Sequence, residues 1–335
     1  MTELVPAFAV LEPIAAAGYL GVDLFFVLSG FILTYNYLDW FQRLERRAYL
    51  RFLGFRFARI YPVHLFTIGF LALLLVLAIA LGESLSHPEN FSVEDLVRNL
   101  LLIHAWTTAT LLNWNYPSWS ISAEWFAYLL FPVVAFVIVR LRSPSVLLVS
   151  AFAAVALQLS LGSAFGFDFP LLRISGEFLM GCLVGRLFLL GWRAPGSWQI
   201  LSLVCAVLIA AGAAVLPALG LDRNWVVLLF GPSILALAHG DGWLGNRPMV
   251  VLGDASYALY MVHAIVGDTM LGLAPPSSFV SASLAVRASF LGIVLFTMIG
   301  IALVVLLVIE RPSRRLIRRA VERGLYACDR SWTSK

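Results

Sequence analysis

The side chains in this sequence with chemistry to offer are a hydroxyl beside a carboxylate, an imidazole, a lone aspartate and a pair of guanidinium groups. Each lies in or next to a long apolar run. In Trp119-Ser-Ile-Ser-Ala-Glu-Trp125, Glu124 follows Ser120 by four residues, so a helix would point hydroxyl and carboxylate from one face. Two readings stand for Glu124: a proton acceptor assisted by Ser120, or the hydrogen-bond partner of an Arg or Trp on a neighbouring helix. His263 falls in the middle of an apolar run, where a neutral imidazole can give or take a proton or can simply pack. Asp23 is set in Gly18-Tyr-Leu-Gly-Val-Asp-Leu-Phe-Phe-Val-Leu-Ser-Gly30, whose small residues allow close helix approach. Ionisable groups within hydrocarbon are costly, so each of these is a functional candidate weighed against interhelical hydrogen bonding.

Arg56-Phe-Ala-Arg59 places two guanidinium groups on one side of a helix, where they can grip phosphate oxygens bidentately. Ordinary loop charge would supply the same residues. His64, just beyond Arg59-Ile-Tyr-Pro62, can orient a phosphate at that end or be an interfacial histidine with no special task. Arg173 and Glu177, four apart, predict an ion pair along one helix. Asp254, directly before an apolar run, reads as the N-cap of a helix beginning at Ala255. Cys182 and Cys205 lie within apolar runs and Cys328 in the tail, a spacing that suggests neither disulfides nor a metal site.

The elements that must position these groups follow from apolar length. With 61% hydrophobic and only 13% charged residues, the chain cannot build a water-soluble surface. Runs long enough to cross about 30 Å of hydrocarbon recur along its whole length. They predict an all-α polytopic transmembrane bundle with about nine spans, at 19–38, 62–82, 119–140, 145–162, 171–191, 198–217, 225–240, 254–274 and 284–309. A shorter stretch, Leu100 to Leu112, is interrupted by His104 and Trp106 and reads as an interfacial or re-entrant helix.

Alternate loops differ sharply in charge. One side takes 19 of the 23 Lys and Arg, leaving Arg98, Arg173, Arg223 and Arg287 for the other. The positive-inside rule then predicts a cytoplasmic C-terminus, and it accounts for the net charge of +4 without a nucleic-acid partner. Three parts are expected: residues 1–18 as an apolar stub split by Pro6, Glu12 and Pro13, residues 19–312 as the membrane domain, and residues 313–335 as a basic cytoplasmic tail. An odd number of spans strands the stub outside, which a tenth, missing first span would repair.

Four segments in order carry a family resemblance: Gly21-Val-Asp-Leu-Phe-Phe-Val-Leu-Ser-Gly-Phe31, Arg56-Phe-Ala-Arg-Ile-Tyr-Pro62, Trp119-Ser-Ile-Ser-Ala-Glu124 and Gly253-Asp-Ala-Ser-Tyr-Ala-Leu-Tyr-Met-Val-His263. The chain resembles the acyltransferase-3 family from about Gly18 to Pro312. That resemblance implies a bacterial inner-membrane enzyme moving an acyl group, often acetyl, from acyl-CoA to a hydroxyl of a sugar, glycan or related cell-envelope acceptor. It places Arg56 and Arg59 at the coenzyme A phosphates, with His64 nearby, and requires no metal. The family's first span carries an Arg and, about ten residues on, a His thought to be the general base, whereas here no His precedes His64. His263 is the candidate to take its place, with Asp23 and Glu124 as orienting carboxylates. A transporter or flippase for a lipid-linked glycan, and a catalytically inactive family member, are the competing expectations.

Overall fold

The computed structural model describes residues 16–82, 87–107, 113–165, 169–193, 197–240, 242, 245–279 and 282–333. Apart from residues 16–18, the expected N-terminal stub lies outside them. In chain order the helices are α1 (Leu20–Tyr37), α2 (Arg46–Ala80), α3 (Val93–Leu100), α4 (Trp119–Ile138), α5 (Pro144–Phe165), α6 (Pro170–Leu189), α7 (Trp198–Ala218), α8 (Phe230–His239), α9 (Arg247–Leu273), α10 (Leu284–Val305) and α11 (Arg311–Thr333). No strand occurs among the described residues. Backbone polar groups in hydrocarbon must be satisfied within the segment, and a helix does that locally.

All nine expected segments coincide with helical structure, and among the described residues seven helices are each long and apolar enough to cross a membrane. The two others differ for distinct reasons. α6 has twenty residues but carries Arg173, Glu177 and Arg186. The 225–240 segment is broken: a 3-10 turn, Arg223–Leu229, leads into the ten-residue α8, together about 29 Å long.

Three boundaries depart from the sequence expectation. The span expected at 62–82 begins at Arg46, because Pro62 sits inside one continuous 35-residue helix; its missing donor breaks a single bond of the ladder. The arginine stretch is therefore part of the same rigid rod as the span. α9 starts at Arg247, where the Asn246 side chain accepts the Met249 backbone N–H at 3.1 Å. Asp254 is thus two turns inside the helix and pairs with Arg311 at 2.8 Å instead of capping. The helix near residue 100 precedes the apolar stretch: α3 ends at Leu100, residues 101–106 form turns, and 108–112 lie outside the described residues.

The chain divides into two compact units. The first contains Leu50–Ser122 and Leu244–Lys335, and the second Val10–Tyr49 and Ala123–Trp243, as far as these are described. In the second unit α1 and α6 pack with backbones almost touching. A β-carbon on Gly30 would strike the Phe178 carbonyl oxygen, and one on Gly181 the Val27 carbonyl oxygen. Small residues at a crossing bring helices this close because dispersion contacts, rather than water exclusion, hold helices together in lipid. Phe131 closes the core edge-to-face between Phe41 and Phe178.

In the first unit α10 continues into α11 through a π turn, Leu306–Glu310. α11 then lies along the beginning of α2. Val321 fills the space over Gly54, Arg318 stacks on Phe55 at 4.2 Å, and Glu322 pairs with Arg51 at 3.2 Å. Tyr257 of α9 donates from its hydroxyl to the Ile60 carbonyl oxygen, fixing α9 against α2.

Candidate functional site

In the first unit, Arg56 and Arg59 project from α2 beside α11. Arg59 is ion-paired with Glu310, a fully buried carboxylate, and its guanidinium stands 5.4 Å from the Tyr257 ring centre. Arg314 feels the charges of Arg56, Arg59 and Arg318, so four guanidinium groups share one neighbourhood with the buried Glu310 and with Asp254. Such an excess of positive charge suits a multiply charged anion, and guanidinium forks match phosphate geometry.

Tyr257 lies on α9, and His263 lies six residues further along, about 9 Å by helix rise. His263 Nδ1 is 2.6 Å from the Tyr260 carbonyl oxygen. A carbonyl only accepts, so Nδ1 carries the proton and Nε2 keeps the lone pair that a general base needs. Tyr260 is held in turn: its hydroxyl donates to the Pro117 carbonyl oxygen at 2.7 Å and accepts from Ser120 Oγ at 3.0 Å. Asn115 Nδ2 adds a bond to the Met261 carbonyl oxygen at 3.0 Å, so residues 115–120 dock along α9. The contact that orients the His263 ring comes from its own helix.

Glu124 and Asp23 have separate settings in the second unit. Glu124 is buried, and its Oε1 accepts from Ser29 Oγ at 2.7 Å and from the Tyr128 hydroxyl. Its expected companion Ser120 bonds instead to Tyr260 and to the Pro117 carbonyl oxygen. Asp23 is gripped by Arg173 through two bonds, Nε to Oδ1 at 2.6 Å and Nη2 to Oδ2 at 2.7 Å. The predicted Arg173–Glu177 pair does not form, because Asp23 offers Arg173 a planar two-bond match that an i, i+4 neighbour on the same helix lacks. Glu177 accepts from Gln158 Nε2 at 3.2 Å.

His64 is fully buried, with Nε2 2.9 Å from the Asn99 carbonyl oxygen, and its ring is parallel to that of His104 at 5.9 Å. It therefore takes part in a polar cluster that the sequence did not reveal. Asn99 bonds Asn113 at 3.0 Å, and Ser118 Oγ lies 3.1 Å from His104 Nε2. Burial and the neighbouring His64 push the His104 imidazole down to about 3. The two histidines interrupting otherwise apolar stretches were the available signal. Their partners, 14 to 40 residues apart in sequence, were not.

A family model described as an acyltransferase domain matches residues 3–309. The chain belongs to the acyltransferase-3 family. This acyltransferase is 29% identical over 294 residues to "Acyltransferase MdmB" of Streptomyces mycarofaciens, a match covering 77% of this chain and 71% of that protein. It is 27% identical to "Exopolysaccharide production protein ExoZ" of Rhizobium meliloti (strain 1021), covering 92% of this chain and 93% of the relative. A partial match, 33% identical over 108 residues, links 30% of the acyltransferase to 24% of a protein of the same organism named "Na(+)/H(+) antiporter NhaA". No solved structure matches the chain.

Proposed function

We propose that this membrane acyltransferase moves an acyl group, acetyl in the simplest case, from acyl-CoA to a hydroxyl of a sugar, glycan or related cell-envelope acceptor. The observation that carries the reading is that α9 joins both halves of the chemistry: Tyr257 under Arg59 at one point, and His263 with a bare Nε2 about 9 Å further on. Arg56 and Arg59 grip the coenzyme A phosphates, and the thioester arm extends along α9 toward His263. His263 Nε2 removes the proton of the acceptor hydroxyl as its oxygen attacks the thioester carbonyl carbon. The tetrahedral intermediate collapses, the C–S bond breaks, and the thiolate leaves to take up a proton. The arginine-rich ends of the helices face the cytoplasm of a bacterial inner membrane, where acyl-CoA is made. The full-length relative named for exopolysaccharide production supports a glycan acceptor.

The test is acyl transfer from labelled acetyl-CoA in reconstituted vesicles. His263→Ala is expected to abolish transfer while leaving acetyl-CoA binding intact. Full transfer by that variant removes His263 from the base role. Purified protein that fails to bind acetyl-CoA yet moves a lipid-linked glycan across the bilayer would establish transport instead.

A further inference from the structure

The seam between α2 and α11 is antiparallel and is closed at each end by an ion pair. Arg59 meets Glu310 at the end next to the apolar spans. Arg51 meets Glu322 at 3.2 Å at the other end, about 12 Å away along α2 by helix rise. Between these pairs neither helix supplies an acid, since residues 52–58 and 311–321 contain no Asp or Glu. They do contain Arg56, Arg314 and Arg318, and the last two lie four apart on the face of α11 turned to α2. Asp254, the carboxylate that α9 brings to this neighbourhood, is taken by Arg311 at 2.8 Å. Among the described residues Arg314 forms no hydrogen bond or ion pair, and Arg318 is held by its stacking on Phe55 at 4.2 Å. Both are half-buried, so each keeps part of its surface open to solvent. Guanidinium groups crowded in this way repel one another, and partial burial removes water that would screen them. An anion between them relieves both costs.

The order of these groups along the fold selects the anion. From Glu310, beside Arg59, α11 carries Arg314 about 6 Å and Arg318 about 12 Å away from the span α10. α9 packs along α10, and the Asp254–Arg311 pair sets their register. From Tyr257, next to the same Arg59, α9 therefore leads the opposite way, about 9 Å to His263. In acyl-CoA the pantetheine arm leaves one end of the diphosphate, and the adenosine with its 3′-phosphate leaves the other. A thioester that reaches His263 with its diphosphate at Arg59 thus turns the adenosine toward Arg314 and Arg318. We propose that Arg314 and Arg318 bind the 3′-phosphate of acyl-CoA, which makes α11 a wall of the donor site. The proposal rests on the reading of Arg56 and Arg59 as ligands of acyl-CoA, and it adds the residues that tell coenzyme A from a nucleotide without the 3′-phosphate. Two guanidinium forks suit a terminal phosphate, which offers three oxygens and up to two negative charges.

The experiment is isothermal titration of the full chain in phosphatidylcholine nanodiscs, which carry no competing anionic lipid, with coenzyme A and with 3′-dephospho-coenzyme A. The wild type is expected to bind coenzyme A about tenfold more tightly or better. Arg314→Gln combined with Arg318→Gln should bring the two ligands within about twofold of each other. Its affinity for the dephospho form should stay within about threefold of the wild type, which also reports that the variant is folded. Should that variant bind neither ligand, Arg314→Gln alone carries the comparison, because its side chain makes no bond within the described residues. Arg315→Gln combined with Arg319→Gln removes the same charge from the exposed face of α11 and should keep the preference. Equal affinity of the wild type for the two ligands overturns the proposal and leaves the acyl-CoA reading standing. So does a preference that survives the loss of Arg314 and Arg318, or one that disappears equally on losing Arg315 and Arg319, the mark of a general charge effect. A wild type that binds neither ligand overturns the acyl-CoA reading and the proposal with it.

Discussion

Arg173 reaches from α6 to Asp23 on α1 and holds it with two near-parallel hydrogen bonds of 2.6 and 2.7 Å, although Glu177 lies one turn away on its own helix. The pair is almost wholly withdrawn from solvent, with side-chain exposures of 11% and 2%. Removing either partner breaks a buried ion pair, which costs about 3–5 kcal/mol. Asp23→Asn and Arg173→Leu are each expected to lower the thermal midpoint of the detergent-solubilised protein sharply. The double variant should recover part of the loss, since no uncompensated charge remains. A double variant as unstable as the sum of the singles would show that the two side chains act independently.

The crossing of α1 and α6 gives a steric prediction with an internal control. Gly30→Ala and Gly181→Ala each drive a methyl group into a carbonyl oxygen of the opposite helix, and should destabilise by about 3 kcal/mol or more. Gly21→Ala, on the same α1 with nothing within 4 Å, should be neutral or stabilising by up to about 1 kcal/mol. Chemical denaturation followed by tryptophan fluorescence ranks the three.

Acid should loosen the turn that follows α3. His104 is held neutral in the fold, down to a pKa of about 3, whereas the ordinary value is 6.5. Its contribution is therefore complete above pH 6.5. It is lost as pH falls from 6.5 toward 3, by about 1.4 kcal/mol per unit, because the opened chain takes a proton that the folded cluster refuses. The thermal midpoint should drop between pH 7 and pH 5. His104→Gln, which keeps a polar group beside Ser118 but cannot titrate in this range, should flatten that slope.

Arg56 and Arg59, alike in sequence, should separate in their consequences. Arg56→Ala is expected to weaken acetyl-CoA binding about tenfold or more, the cost of one charge-assisted bond to phosphate. Arg59→Ala should lower stability as well, by about 3 kcal/mol, because Glu310 is left buried without its ion-pair partner. Adding Glu310→Gln to Arg59→Ala should return stability but not binding. Isothermal titration and thermal melts on the same preparations read both quantities.

Much of this protein was legible from local chemistry. Apolar runs longer than a bilayer's hydrocarbon determine helices whatever lies beside them, since no other local structure satisfies the backbone there. The four ordered motifs likewise fixed the family, because each keeps its spacing within one segment. Partner choice was not local. Arg173 had two carboxylates to select from, Ser29 and Tyr128 rather than Ser120 met Glu124, and Asp254 paired with Arg311 57 residues away. The His64–His104–Asn99–Ser118 cluster and the Glu177–Gln158 contact are likewise assembled from separate elements. Sequence spacing states which groups share a helix face. Only packing decides which face meets which, because a buried polar group takes the partner with the best geometry rather than the one nearest along the chain.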